Sequence, residues 1–211
     1  MAEVGAFTLS LLFAYLIGAI PMGYVMARIF KGIDIRKQGS GNVGATNVLR
    51  TVGKLPAIIT LLFDISKGAI VILLIGGYAY KYLGLIDQDF YRCLLGFTAI
   101  CGHIWPVFLK FKGGKGVATT IGVMAVISPF TLLISLGIWV LVFTITSYVS
   151  VSSLVFGVAL PVAATISGQN LFIIIFTVTL CILNTYKHKD NIKRLSKGEE
   201  SKTRIFKKDA H

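Results

Sequence analysis

The sequence predicts an all-α, polytopic integral membrane protein with about seven transmembrane helices, and three observations predict it. Hydrophobic residues make up 55% of the 211-residue chain and charged residues only 14%, with a mean hydropathy of +0.79, which is too apolar for a soluble domain of this length. The apolar residues fall into runs close to the roughly 20 residues that a crossing helix needs. The basic residues gather between those runs, as the positive-inside bias requires.

On that ruler the spans are about 6–28, 55–80, 90–109, 116–127, 130–147, 153–167 and 170–186. The first run begins near Ala6 with Glu3 as the only charge before it, unlike the basic start of a secretory signal, and reads as a retained anchor. Val117 to Tyr148 is too long for one crossing and too short for two full ones. Ser128-Pro129 supplies the break, because proline lacks an N–H and disfavours helix in the residue before it. Residues 1–200 then form one transmembrane domain, followed by a basic extension at 201–211, His211 included, to which no catalytic role is assigned.

Charge sets the expected orientation. With Met1 outside and the C-terminus inside, Lys and Arg number six in 28–54, three in 110–115 and nine from 187 onward, eighteen of the 21 in the chain. The outer segments hold Lys81, with Arg92 nearby. A formal net charge of +12 would suggest nucleic acid in a soluble chain; here membrane topology explains it, and no nucleic-acid partner is expected. Cys93, Cys101 and Cys181 are scattered through apolar segments with no CxxC pair, which argues against a zinc site and against a disulfide framework. Asp34 and Asp190 are the carboxylates near the basic loops, too few for a magnesium site, so no metal or cofactor is expected.

Three stretches on the expected inner side mix basic residues with glycine, serine and asparagine: KGIDIRKQGSGNVGATNVLR at 31–50, LKFKGGKGVAT at 109–119 and TYKHKDNIKRLSKG at 185–198. Glycine lets backbone N–H groups approach a ligand, while Lys and Arg supply charge, so such loops suit phosphate oxygens. The spacing Gly39-x-Gly41-x-x-Gly44, with Asp64 twenty residues on, imitates a dinucleotide fingerprint. Its context rejects that reading, since the run follows a membrane span and Asp64 lies inside another. What survives is a glycine turn opening a short helix, whose free N–H groups favour an anion. Lys112-Gly113-Gly114-Lys115-Gly116 lacks the Gly-Lys-Ser/Thr ending of a nucleotide P-loop, yet its glycines exceed what a topology signal needs.

Charges predicted inside spans require partners. Asp64 and Lys67 are three apart on one helix face and are expected to neutralise each other, with a role toward substrate as the alternative. His103, before Trp105-Pro106, reads as a packing or hydrogen-bonding residue. His188, amid Lys187, Lys189 and Asn191, is the better active-site candidate.

The runs GSGNVGATNVLR at 39–50, GHIWPVFLKFKGGKGVAT at 102–119 and YKHKDNIKRLSKGEE at 186–200 resemble the three cytoplasmic motifs of the bacterial acyl-phosphate:glycerol-3-phosphate acyltransferase family, PlsY. The likeness covers nearly the whole chain up to Glu200. It implies a multi-pass enzyme of the bacterial inner membrane, working at the cytoplasmic face among membrane lipids. Such an enzyme moves an acyl group from long-chain acyl phosphate to the 1-hydroxyl of glycerol 3-phosphate, releasing lysophosphatidic acid and phosphate, the first acylation of phospholipid synthesis. Carried over by motif, the catalytic positions are Ser40, Arg50, Lys115, His188 and Asn191. Gly41, Asn42, Gly44, Thr46, Lys112 and Ser150 complete the expected substrate site, Ser150 from the short loop YVSVSS.

What is absent fits that chemistry. Thioester-dependent glycerolipid acyltransferases present a histidine with an aspartate five residues later, but Phe108 follows His103 and Lys193 follows His188 at that spacing. No GxSxG elbow occurs either. Two other classes stay open at this point: a membrane transporter for a phosphorylated anion, and a scaffold whose basic loops bind anionic lipids.

Overall fold

The computed structural model describes residues 2–81, 83 and 86–203, and among these there is no strand. The helices are α1 (Ala2–Ala19), α2 (Met22–Lys31), α3 (Ala45–Thr51), α4 (Lys54–Tyr80), α5 (Gln88–Ile104), α6 (Val117–Ile127), α7 (Pro129–Thr146), α8 (Val149–Ile166), α9 (Leu171–Lys187) and α10 (Lys189–Ser196). Each of the seven runs picked out by hydropathy is helical. Five helices, Glu3–Lys31, Lys54–Tyr80, Gln88–Leu109, Pro129–Thr146 and Val149–Ile166, are long and apolar enough to cross a membrane. A sixth qualifies if α9 and α10, bent by 56° at His188, are taken together. The remaining one, α6, has 11 residues. At 1.5 Å per residue it is about 16 Å long, roughly half a bilayer core.

Three departures from the expected spans have local causes. The first span is broken between α1 and α2, where Pro21 has no N–H to give and Ile20 bonds back only to Ile17 O at 3.3 Å. The third ends at Ile104, because Pro106 follows and the chain turns through a 3₁₀ segment, Val107–Leu109. Within α4, Val71–Gly76 is wound as π-helix, which periodicity alone does not reveal.

Small residues let the helices approach. A Cβ on Gly18 would overlap Ala99 O, and one on Gly102 would overlap Tyr15 O, so α1 lies directly on α5. Gly68 and Gly122 do the same between α4 and α6, against Thr119 O and Ile65 O. Such glycine contacts suit association in lipid, where apolar surface has no reason to avoid its surroundings. The main core joins α5, α6, α8 and α9 through Leu95, Ile100, Val123, Met124, Phe156 and Leu180. Leu133, Ile145 and Ile166 point outward and are 65%, 74% and 76% exposed, a surface suited to hydrocarbon. A second small core of Ala27, Ile35, Val43, Val48, Ala57 and Leu109 seats the first glycine loop on α2 and α4.

Candidate active site

The first loop is organised by one buried amide. Asn47, 2% exposed, accepts from Ser40 N at 3.0 Å through Oδ1 and donates from Nδ2 to Gln38 O at 3.0 Å and Asn42 O at 2.8 Å. These bonds curl residues 38–44 around it. The curl requires left-handed backbone at Gly39 (φ +57°) and Gly41 (φ +70°), and a Cβ on Gly39 would overlap Asn47 Oδ1. Asn42 Oδ1 accepts from Gly44 N at 2.8 Å, and Gly44 opens α3 with no side chain capping its first turn. Thr46 lies in that turn, and Arg50 in the last turn of the same helix. The sequence did not single out Asn47; its signal was a buried asparagine following the glycines it holds.

The second loop folds back on the end of α5. Gly113 N donates to Ile104 O at 3.2 Å and Gly114 N to His103 O at 3.1 Å. Gly116, at φ +88°, opens α6, again without a side-chain cap. This turn aims Lys115 at the third motif, where its Nζ donates to Asn191 Oδ1. Lys112, three residues earlier, stays exposed and makes no side-chain hydrogen bond or ion pair among the described residues.

From Lys115 a polar chain runs inward. Asn191 Nδ2 donates to Glu200 Oε1 at 2.7 Å, and Arg194 Nε donates to Glu200 Oε2 at 2.7 Å. Burial pushes the Glu200 carboxyl up, but the bonds from Asn191 and Arg194 outweigh it and hold its pKa below the usual range. Ser150, at the start of α8, is 5% exposed and lies against the Glu200 carboxylate, its hydroxyl without a well-formed bond. Burial, with Arg194 and Arg50 nearby, lowers the Lys115 ammonium to about 8.

His188 sits at the bend between α9 and α10, 2% exposed, and its Nδ1 donates to Asn184 O at 2.8 Å. Burial and the positive Lys115 lower its pKa to about 4. The ring is therefore neutral near pH 7, and with the Nδ1 proton committed to Asn184, Nε2 is left as an acceptor. Asn184 is held in turn by Ser153, accepting Nδ2 at 2.7 Å.

The chain beyond Glu200 also takes part. Arg50 Nη2 donates to Ser201 O at 3.0 Å and to Thr203 Oγ1 at 3.2 Å, while Thr203 N donates to Ser147 O at 2.9 Å. This strap ties α3 to the turn between α7 and α8. Residues 204–211, His211 included, lie outside the described residues.

The structure thus brings Asn191 and Ser150 to Glu200, joins Lys115 to Asn191, sets His188 within reach of the charges of Lys115 and Glu200, and links Arg50 to them through residues 201–203. Ser40, Gly41, Asn42, Gly44 and Thr46 form their own rim around Asn47, which continues through α3 to Arg50. Sequence reading missed Glu200 and Arg194, which join Asn191 only because the chain folds back after α10, and Asn184, which lies one turn before His188 on α9. Next to Lys115 a cavity of about 10 Å³, room for a single water, is lined by Ile100, Phe156, Leu160, Leu180 and Asn184 between α5, α8 and α9.

A family model described as glycerol-3-phosphate acyltransferase matches residues 8–198. The chain belongs to the glycerol-3-phosphate acyltransferase family. Among curated members it is 42% identical to the glycerol-3-phosphate acyltransferase of Desulforamulus reducens, over 90% of this chain and 91% of that one. It is 43% identical to that of a Thermoanaerobacter species, over 92% and 94%. Two crystal structures of PlsY, an integral membrane glycerol 3-phosphate acyltransferase, superpose on it at 35% identity. Its glycerol 3-phosphate form gives a TM-score of 0.84 over 94% of this chain and 96% of that one. Its lysophosphatidic acid form gives 0.82 over 94% and 95%. This chain is an all-helical membrane protein among the described residues, and PlsY is likewise an integral membrane protein.

Proposed function

We propose that this protein transfers an acyl group from acyl phosphate to the 1-hydroxyl of glycerol 3-phosphate, forming lysophosphatidic acid and phosphate, as the first acylation of phospholipid synthesis. The observation that carries the reading is the hydrogen-bonded run from Lys115 through Asn191 to the buried Glu200 carboxylate, with buried His188 close enough to feel the charges of Lys115 and Glu200, in a chain of this family. Membership weighs against the transporter and scaffold alternatives.

Two anionic reactants repel, so the site's first task is to hold both at once. Arg50 and Lys115 take the phosphate of glycerol 3-phosphate. Ser40, Asn42, Thr46 and Ser150, with N–H groups near Gly41 and Gly44, take the acyl phosphate, and Lys112 attracts either anion from the rim. Alignment of two reactants lowers a barrier by roughly 7–11 kcal/mol in favourable cases.

His188 Nε2 and Asn191 orient the 1-hydroxyl. Its oxygen attacks the acyl carbonyl carbon, the C–O bond to phosphate breaks, and inorganic phosphate leaves. A histidine with a pKa of about 4 is a weak base at pH 7, so the hydroxyl proton passes to a phosphate oxygen of the substrate itself. Fixed cations stabilise the charge that develops on the carbonyl oxygen. No acyl-enzyme forms, and no metal or cofactor takes part. Mass spectrometry after mixing the protein with acyl phosphate alone tests this: an unmodified chain is expected, and a stoichiometric acyl adduct would overturn it.

The loops that carry the site lie at the cytoplasmic face of the bacterial inner membrane in this reading, with seven crossings, the N-terminus outside and the C-terminus inside. The distribution of Lys and Arg supports that placement.

A further inference from the structure

Three titratable side chains lie inside the bundle and outside the site just described. Asp64, Lys67 and His103 are 3%, 2% and 7% exposed. Lys67 Nζ forms an ion pair with Asp64 Oδ1 at 2.7 Å and hydrogen-bonds to His103 Nδ1 at 3.0 Å and Ile20 O at 3.1 Å, so the ammonium has three partners. The third partner is the carbonyl exposed where Pro21 breaks the first span. With Nδ1 accepting from an ammonium, the neutral imidazole carries its own proton on Nε2.

That Nε2 faces the second glycine loop. A Cβ on Gly114 would overlap it, and the loop's amides at Gly113 and Gly114 bond to the carbonyls of His103 and Ile104. The first loop reaches the same place. Val43 O rests where a Cβ on Gly23 would stand, and Val43 shares a small cavity with Ile20, Gly23, Asp64 and His103. A buried ion pair is weak evidence for stability, since apolar side chains of similar size often do as well. What it gives here is a fixed height for the ring on which Gly114 lies, one residue before Lys115.

We propose that Asp64, Lys67 and His103 are positioning residues, which seat the 112–116 loop on the helix bundle and so set where Lys115 meets the substrate phosphate. The inference rests on the acyltransferase reading and deepens it. It separates two jobs that a mutation would otherwise confuse, holding the fold and placing the lysine.

The test compares purified wild-type protein with Asp64→Leu/Lys67→Met, which removes both charges together, and with His103→Leu and His103→Asn. Steady-state turnover gives kcat and a KM for each substrate, and thermal unfolding gives Tm. The double variant and His103→Leu are expected to raise the KM for glycerol 3-phosphate about tenfold, with the acyl-phosphate KM near wild type. His103→Asn, whose Oδ1 replaces the Nδ1 acceptor, is expected to recover most of that loss. An unchanged KM for glycerol 3-phosphate in His103→Leu and in the double variant would overturn the proposal. So would a loss that follows Tm and is equal for both substrates, or no recovery in His103→Asn. Wild-type protein that transfers no acyl group would instead sink the functional reading.

Discussion

The ammonium of Lys115 donates to the side-chain oxygen of Asn191, joining the second glycine loop to the helix that follows the bend at His188. Asn191 spends its other end on Glu200, so one amide orients both a cation and a carboxylate. Asn191→Ala leaves Lys115 and Glu200 without that partner in a buried setting. A buried group deprived of its bond costs about 1–3 kcal/mol, which corresponds to a fall in kcat/KM of about fivefold to 150-fold. Steady-state kinetics on the purified variant checks it, and wild-type activity would remove Asn191 from the account.

Charge on Lys115 sets a pH limit. Burial holds its pKa at about 8, so the group is protonated below that value and loses its charge as pH rises through it. Anion binding to the free enzyme weakens in the same direction. The KM for glycerol 3-phosphate is expected to climb above pH 8, approaching about tenfold per pH unit. Lys115→Arg keeps its charge throughout, and its KM is expected to lack that rise even if it is higher overall.

Arg50 divides its guanidinium between a strap and open space. Nη2 is occupied by Ser201 O and Thr203 Oγ1, which leaves the other donors directed by that anchoring. Arg50→Lys retains the charge but loses the fork, and a rise of about tenfold or more in the KM for glycerol 3-phosphate is expected. Thr203→Val removes one anchoring bond and is expected to have a smaller effect in the same direction. Equal KM values for Arg50→Lys and wild type would show that general attraction suffices.

Asn47 holds the first loop rather than the substrate. Asn47→Leu keeps the volume but leaves Ser40 N, Gln38 O and Asn42 O without their partner. Activity is expected to drop more than about tenfold while helix content by circular dichroism stays at the wild-type value. A variant with normal kinetics would show that the loop keeps its shape without the amide.

Hydropathy made the helices readable because each lipid-facing run announces its own length, and Ser128-Pro129 marked the split between α6 and α7. The interruption at Pro21 was not read, although the residue is visible, because the apolar run continues across it. The π-helical turn in α4 leaves no compositional trace. Motif likeness singled out Lys115, His188 and Asn191, which the fold gathers in one place, and the i to i+3 spacing found the Asp64–Lys67 pair. Glu200 was read only as the edge of the family likeness, since its role depends on the chain folding back after α10. Asn47 stood within the first motif, but only the fold shows three backbone groups converging on it.

The central claim is tested most directly by supplying purified protein in detergent or liposomes with glycerol 3-phosphate and, in separate reactions, acyl phosphate, acyl-CoA or acyl-carrier protein. The account predicts lysophosphatidic acid with acyl phosphate alone. Turnover with either thioester, or none with acyl phosphate, would contradict it.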